Sequence, residues 1–189
     1  MNQEAVLDLF RKSGALHDGH FRLSSGLHSD RYLQSALVLQ YPEFAQALGH
    51  ALAERTRHLQ PTVVLSPALG GIVIGHEVGR ALGVRALFAE RQDGALTLRR
   101  GFALAPSDRV LVVEDVITTG GSTLETAAVA EAIGARVVGA GAIVDRGTDS
   151  GRLSLPLQAL VRLEVPAYPP ESCPLCAAGL AIVKPGSRA

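Results

Sequence analysis

Little in this sequence of 189 residues suits a membrane, a secreted scaffold or a nucleic acid. No apolar run is long enough to cross a bilayer. The N-terminus lacks the basic, apolar and cleavage regions of a signal peptide, because Glu4, Asp8, Arg11 and Lys12 interrupt it. These absences predict a cytoplasmic protein. Eighteen basic and 18 acidic residues cancel, so no global field recruits nucleic acid. Lysine is nearly missing: every basic residue except Lys12 and Lys184 is arginine, which reads first as coding bias, although arginine suits bidentate contacts to phosphate and carboxylate. Cysteine occurs twice, in Cys173-Pro-Leu-Cys176. A lone CxxC is half of a zinc site, a redox pair, or two small apolar residues. No second CxxC completes a tetrahedron, and His17, His20, His28, His50, His58 and His76 are far away along the chain. Structural or inert cysteines are the favoured reading, and no metal site is assigned to side chains; a site shared between subunits stays open. There is no internal repeat and no low-complexity linker. A hydrophobic content of 47% over this length predicts one domain with its own core.

What is present alternates strand and helix. Val6, Leu7, Leu9 and Phe10 predict a short amphipathic helix that ends at Gly14. Phe21 and Leu23, then Tyr32 with its neighbours, suggest two short strands joined through Gly26. Pro42 opens a helix to about Leu59, with Phe44, Leu48, Ala51 and Leu52 on one face. Val63 to Leu65 is a strand, Ile72 to Leu82 a helix stopped by Gly83, and residues 84–90 a strand. Val110 to Val113 and Val137 to Val144 are two more, and Pro166, Pro169 and Pro170 mark a looser tail. The alternation predicts an α/β fold with a doubly wound parallel sheet and right-handed crossovers. Ligands of such folds bind at the C-terminal edge of the sheet. That edge would gather the loops Ser66–Gly71, Glu90–Gly101, Glu114–Thr123 and Asp145–Gly151.

One of those loops is the most informative string in the chain. Val110-Leu-Val-Val113 reads as a buried parallel strand, and the carboxylates Glu114 and Asp115 follow where it runs out. Thr118-Thr-Gly-Gly-Ser122 then turns into an Ala-rich helix from Thr123 to Ile133. A small-residue turn at a helix N-terminus is an anion site, because unpaired backbone N–H groups point out of it. Acids beside such a loop make sense if the ligand also brings hydroxyls or a bound cation. A ribose phosphate carrying magnesium-bound diphosphate brings both.

Glu114-Asp-Val-Ile-Thr-Thr-Gly-Gly-Ser122 resembles the phosphoribosyl-diphosphate (PRPP) signature of type I phosphoribosyltransferases, and its Val-Ile-Thr version resembles the orotate phosphoribosyltransferases in particular. The resemblance covers essentially the whole chain. It implies a single domain over 1–189, with a small hood formed by about 1–40 and the tail 165–189. It implies transfer of the phosphoribosyl group from PRPP to orotate in pyrimidine and UMP biosynthesis, dependence on Mg2+ held mainly through the diphosphate, and a homodimer with no nucleic-acid or membrane partner. By the same resemblance Thr118, Thr119, Gly120, Gly121 and Ser122, after Val116 and Ile117, would hold the 5′-phosphate. Glu114 and Asp115 would take the ribose hydroxyls and face the positive charge of the transition state. Ser66-Pro-Ala-Leu-Gly-Gly71, with Ala68 and Leu69, resembles the diphosphate loop. Arg146, in Val144-Asp-Arg-Gly147, matches the arginine that pairs with the orotate carboxylate, beside Thr118.

Two segments depart from the family pattern. Many relatives carry a lysine where Ser24 stands in the hood segment with Phe21, Ser25, Gly26 and Tyr32. Many also have a long mobile loop with lysine and histidine, whereas Glu90–Gly101 is short and offers Arg91, Arg99 and Arg100. Arg91 is the candidate for PRPP among them; equally, Leu96-Thr-Leu98 reads as a plain edge strand flanked by charge. Two other functions share the PRPP loop. One is a purine phosphoribosyltransferase, which has no use for a cation aimed at a carboxylate. The other is a non-catalytic PRPP or nucleotide sensor, which usually adds a basic face that this neutral chain lacks.

Overall fold

The computed structural model describes residues 1–23, 25–147 and 153–184. Ser24, residues 148–151 of the fourth edge loop and the last five residues of the tail therefore lie outside the described residues.

The β-branched runs of the sequence become the centre of a six-stranded sheet ordered β5-β4-β3-β6-β7-β8. Its strands are β3 (Val63–Pro67), β4 (Arg85–Gln92), β5 (Ala95–Leu98), β6 (Arg109–Ile117), β7 (Arg136–Asp145) and β8 (Leu157–Arg162). All neighbours are parallel except β4 and β5. Alternation along β6 divides the core. Leu111 and Val113 pack with α1 (Gln3–Lys12), α3 (Pro42–Thr56) and α4 (Gly71–Leu82), whereas Val110 and Val112 pack with α5 (Gly121–Glu131). Helices thus cover both faces, as the sequence predicts for a doubly wound sheet.

Strand order fixes where a ligand can enter. The chain winds outward from β3 through β4 to β5, then returns to β6 and winds the other way to β8. The reversal leaves a crevice between the C-terminal ends of β3 and β6, the switch point where open α/β sheets bind ligands. The two loops that leave those strands are 68–70 and 118–120.

A separate hairpin of β1 (Leu16–Arg22) and β2 (His28–Leu33) forms the hood, and α2 (Ser35–Leu39) follows it directly. The tail returns to this hairpin: His28 bridges Tyr168, and Phe21 bridges Val183. Near its end the tail carries α6 (Pro174–Ala177).

Three expectations need correction. Strand β6 does not run out before the acid pair; it continues through Glu114 and Asp115 to Ile117, paired with β7 as far as Ile117 opposite Asp145. Residues 90–101 are not one edge loop. β4 runs on to Gln92, turns at Asp93 and Gly94, both with positive φ, and returns as the antiparallel edge strand β5. The plain edge-strand reading of Leu96–Leu98 is thus the observed one. Lastly, α2 and β8 have no counterpart in the sequence reading. Strand β8 joins β7 in parallel across residues 146–156, a connection below the usual length of a crossover.

Candidate active site

The extension of β6 separates the two acids. Successive residues of a strand point to opposite faces, so Glu114 turns toward α5 and Asp115 toward α4. Glu114 is 9% exposed, and the Thr123 hydroxyl donates to its Oε1 at 2.5 Å. Burial pushes its carboxyl up to about 7; the Thr123 hydrogen bond works against that rise, and the neighbouring Asp115 charge adds to it. Asp115 is half-buried and accepts a hydrogen bond from the Ser35 hydroxyl on Oδ2. The two acids can share one ligand only over the edge of the sheet, where the strand ends.

The 68–70 loop lies against Asp115. A Cβ placed on Gly70 would stand 2.7 Å from Asp115 Oδ1 and 2.9 Å from Oδ2, so only glycine lets this loop approach the carboxylate. Ala68 is anchored by its N–H to the Ala89 carbonyl at 2.8 Å, and the Ala68–Leu69 peptide bond is cis. Leu69 is 83% exposed, which puts its backbone at the mouth of the crevice.

Across the crevice, Gly120 caps α5 with φ of 79°, a conformation that favours glycine. The first intrahelical bond runs from Leu124 N–H to the Gly120 carbonyl. The amides of Gly121, Ser122 and Thr123 therefore have no acceptor within the helix and present the positive end of its dipole. Thr119, Gly121 and Ser122 are exposed around them, and Thr118 is half-buried. Val116 and Ile117 differ. Ile117 is 1% exposed and packs on Ala142 and Leu153, so its side chain belongs to the core. Val116 packs against the opposite cluster. Only the backbone of either can face a ligand.

Arg146 follows β7, and its N–H donates to the Ile117 carbonyl at 2.9 Å, which sets it beside Thr118. Its guanidinium is partly buried, and desolvation holds its pKa below the ordinary value. Its buried Nε has no hydrogen-bond partner among the described residues. A desolvated guanidinium N–H without an acceptor is uncommon in a native structure and points to an acceptor brought from outside. Asp145 does not supply it through the bond seen here: its Oδ1 accepts from Gly147 N–H at 2.9 Å.

The three arginines of 90–101 lie differently. Arg91 pairs with Glu125 of α5 at 2.7 Å, and Arg100 with Glu90 at 2.7 Å. Arg91 thereby sits one turn from the N-terminal end of α5, engaged with an acid. Arg99 is exposed. In the hood, Phe21 and Tyr32 pack ring against ring at 5.8 Å, Gly26 forms the turn and Ser25 is exposed.

Two participants escaped the sequence reading. Ser35, the partner of Asp115, carries no local signal, since a serine at a helix start is ordinarily a cap. Thr123 was read only as the first residue of the helix.

The sequence model of the phosphoribosyl transferase domain family matches residues 35–154. The chain is 50% identical over 188 residues to an orotate phosphoribosyltransferase of Desulforamulus reducens, covering 100% of this chain and 98% of that protein. It is 51% identical over 188 residues to one of Pelotomaculum thermopropionicum, covering 100% and 99%. Among solved structures, it is similar to the orotate phosphoribosyltransferase of Mycobacterium tuberculosis in complex with PRPP. The TM-score is 0.70 at 25% identity, over 85% of this chain and 96% of the other.

Proposed function

The chain belongs to the orotate phosphoribosyltransferase family, and on that premise we propose that it transfers the phosphoribosyl group from PRPP to orotate. Orotate N1 bonds to C1 of the ribose as the C1–diphosphate bond breaks, giving orotidine 5′-monophosphate and diphosphate, the step that forms the nucleotide in pyrimidine synthesis. The observation that carries the choice of base is the buried Nε of Arg146 beside Thr118, which has no hydrogen-bond partner among the described residues. A planar guanidinium suits the orotate carboxylate, and a purine has no group for it.

The other roles follow from what each group presents. The free amides of Gly121 and Ser122, with the hydroxyls of Thr118, Thr119 and Ser122, receive the 5′-phosphate. Asp115 and Glu114 take the ribose hydroxyls from opposite faces of β6 and lie near C1, where positive charge grows as the leaving group departs. The Ser35 hydroxyl bond holds the Asp115 carboxylate in place for this. The backbone of Ala68 and Leu69 approaches the diphosphate. Arg91 would meet PRPP only by exchanging Glu125 for a diphosphate oxygen.

The donor set fits magnesium. It consists of carboxylate and backbone oxygens, hard ligands, around a cradle that a Cβ at Gly70 would fill. Asp115 and the carbonyls of the 68–70 loop would hold an ion carried by the diphosphate. When bound, it neutralises the leaving group. The homodimer and the cytoplasmic setting belong to the same reading, supported by the family resemblance, and light scattering on the purified chain checks the first.

The deciding experiment is a spectrophotometric assay of orotate consumption with PRPP and magnesium, run beside adenine, guanine and xanthine. Turnover of orotate that requires both PRPP and magnesium is expected. Turnover of a purine alone would overturn the choice of base, and PRPP binding without any turnover would make the chain a sensor.

A further inference from the structure

The hood contains a constellation that the transferase chemistry does not use. His20 and His28 of the hairpin meet Cys173 and Cys176 of the tail, and one potential ligand atom from each lies within 4.8 Å of all the others. The sequence expectation that the histidines are remote from the CxxC is overturned here, because the fold closes a separation of 153 residues between His20 and Cys173.

Local geometry explains how four side chains point at one spot. His28 opposes Arg22 in the hairpin, and the bulge between Asp18 and Phe21 turns His20 inward, so the two imidazole rings meet with centroids 4.9 Å apart. Cys173 caps α6 and Cys176 lies one turn on, so the i,i+3 spacing puts both sulfurs on one side. Backbone bonds clamp the hairpin to the tail around them: His28 N–H to the Tyr168 carbonyl, and Val183 N–H to the His20 carbonyl, both at 2.8 Å.

Four of the six ligand-atom separations approach those of a tetrahedral centre. His20 Nε2 is 3.7 Å from each sulfur, His28 Nδ1 is 3.3 Å from Cys176 Sγ, and the two nitrogens are 3.1 Å apart. Zinc bonds of about 2.3 Å to sulfur and about 2.05 Å to nitrogen require roughly 3.6 Å between sulfur and nitrogen and roughly 3.3 Å between nitrogens. The tautomer agrees as well. His20 Nδ1 lies 2.9 Å from the Leu180 carbonyl, which can only accept, so Nδ1 carries the proton and Nε2 turns its lone pair inward. Three of the four residues are almost fully buried: Cys173 at 3%, His20 at 4% and His28 at 7%. A redox CxxC needs neither two imidazoles nor their lone pairs turned toward the sulfurs.

We propose that His20, His28, Cys173 and Cys176 form a structural zinc site that fastens the C-terminal tail to the hood. Four protein ligands close the coordination sphere and leave no position for water or substrate, which is the pattern of a structural centre rather than a catalytic one. Binding expels the thiol protons as the two thiolates coordinate, with no change of oxidation state.

Metal analysis of the full-length chain, purified without chelator, is the test. About one zinc per chain is expected, falling at least roughly tenfold in Cys176→Ser. Cobalt(II) exchanged into the parent should give the intense visible bands of a tetrahedral ion and a thiolate charge-transfer band, the latter weakened in the variant. If Cys176→Ser does not fold, the parent itself is stripped with dipicolinate and reloaded with zinc. Reloading should then restore resistance of the segment after Leu163 to limited proteolysis. A chain without zinc that takes up none on incubation with zinc sulfate overturns the proposal. So does an octahedral cobalt spectrum, or a Cys173–Cys176 disulfide that forms equally fast with and without zinc.

Discussion

Replacing Gly70 by alanine should cripple turnover and leave the fold nearly intact. The residue has an ordinary helical φ of −55°, so alanine brings no backbone strain. Its Cβ would lie 2.7 Å from Asp115 Oδ1, where ordinary contact begins at 3.4 Å. The Asp115 carboxylate must yield by about 0.7 Å, since it is the far end of a side chain and the 68–70 backbone is anchored through Ala68. A rotation of that size costs about 0.5–1.5 kcal/mol. For a chain of this length it lowers Tm by roughly 1–6 °C.

Catalysis is far less tolerant, because a misplacement of about 1 Å at a reacting group costs on the order of 100-fold. We therefore expect kcat to fall between about 10- and 100-fold. The assay is initial-rate orotate consumption at saturating PRPP and magnesium, beside a thermal melt. The same substitution in an Asp115→Ala background should cost about twofold or less, because the atoms it displaces are gone. A Gly70→Ala enzyme with kcat within about twofold of the parent would refute the placement of Asp115 at the reacting centre. A full loss persisting in the Asp115→Ala background would place the effect elsewhere in the loop.

Asp115→Asn should lower kcat much more than it weakens PRPP binding, since the charge it faces grows only in the transition state; equal losses in single-turnover and binding measurements would contradict that role. Arg146→Ala should reduce kcat/KM for orotate by roughly 30- to 1000-fold, the range of a desolvated guanidinium–carboxylate pair, while PRPP affinity by calorimetry stays put. Glu114 carries a pH signature. Its folded pKa of about 7 lies above the ordinary 4.5, so the native state holds a proton that the unfolded chain has released. That contribution is complete below about 4.5 and is lost as pH rises through 7, a decline of roughly 2–3 kcal/mol that denaturant melts of the ligand-free parent should show and Glu114→Gln should flatten. Arg91→Ala breaks an exposed pair with Glu125 and should cost less than about 1 kcal/mol of stability, so a rise in KM for PRPP would report diphosphate contact directly.

What the sequence made legible was local. The run Val110–Val113, the small-residue turn and the Ala-rich helix specify their own geometry within a few residues, and the N-terminus of α5 with its free amides lies where that string puts it. Other features depended on neighbours. Glu114 and Asp115 look like the end of a strand because carboxylates are poor strand residues; pairing of β6 with β7 carries them into the sheet all the same. Strand β8 is short and follows β7 after only residues 146–156, a connection below the usual length of a crossover. Asp93-Gly94 is a local hairpin signal at the β4–β5 turn that the reading of Glu90–Gly101 as one loop passes over. The His–Cys constellation shows only its CxxC half in the sequence, because the histidine half belongs to the opposite end of the chain.

That constellation and the Asp115 carboxylate are joined by one short stretch of backbone. β2 begins at His28 and ends at Leu33, and two residues later Ser35 donates its hydroxyl to Asp115. The strand held to the tail at one end thus delivers, at the other, the group that orients the carboxylate. The same route explains why the two adjacent acids differ. Asp115 faces a crevice shaped by the Ser35 hydroxyl and the close-approaching 68–70 loop, which keeps it accessible. Glu114 faces the packed side of α5, where burial favours the proton and only the Thr123 hydroxyl opposes it. A ligand that brings ribose hydroxyls over the edge of β6 supplies Glu114 with the donors its burial denies it. Binding should therefore draw the Glu114 pKa down from about 7 and release a proton near neutrality. Calorimetry of PRPP binding at pH 7 in buffers of different ionisation enthalpy would register that proton, and a binding enthalpy independent of buffer would place the ribose away from Glu114.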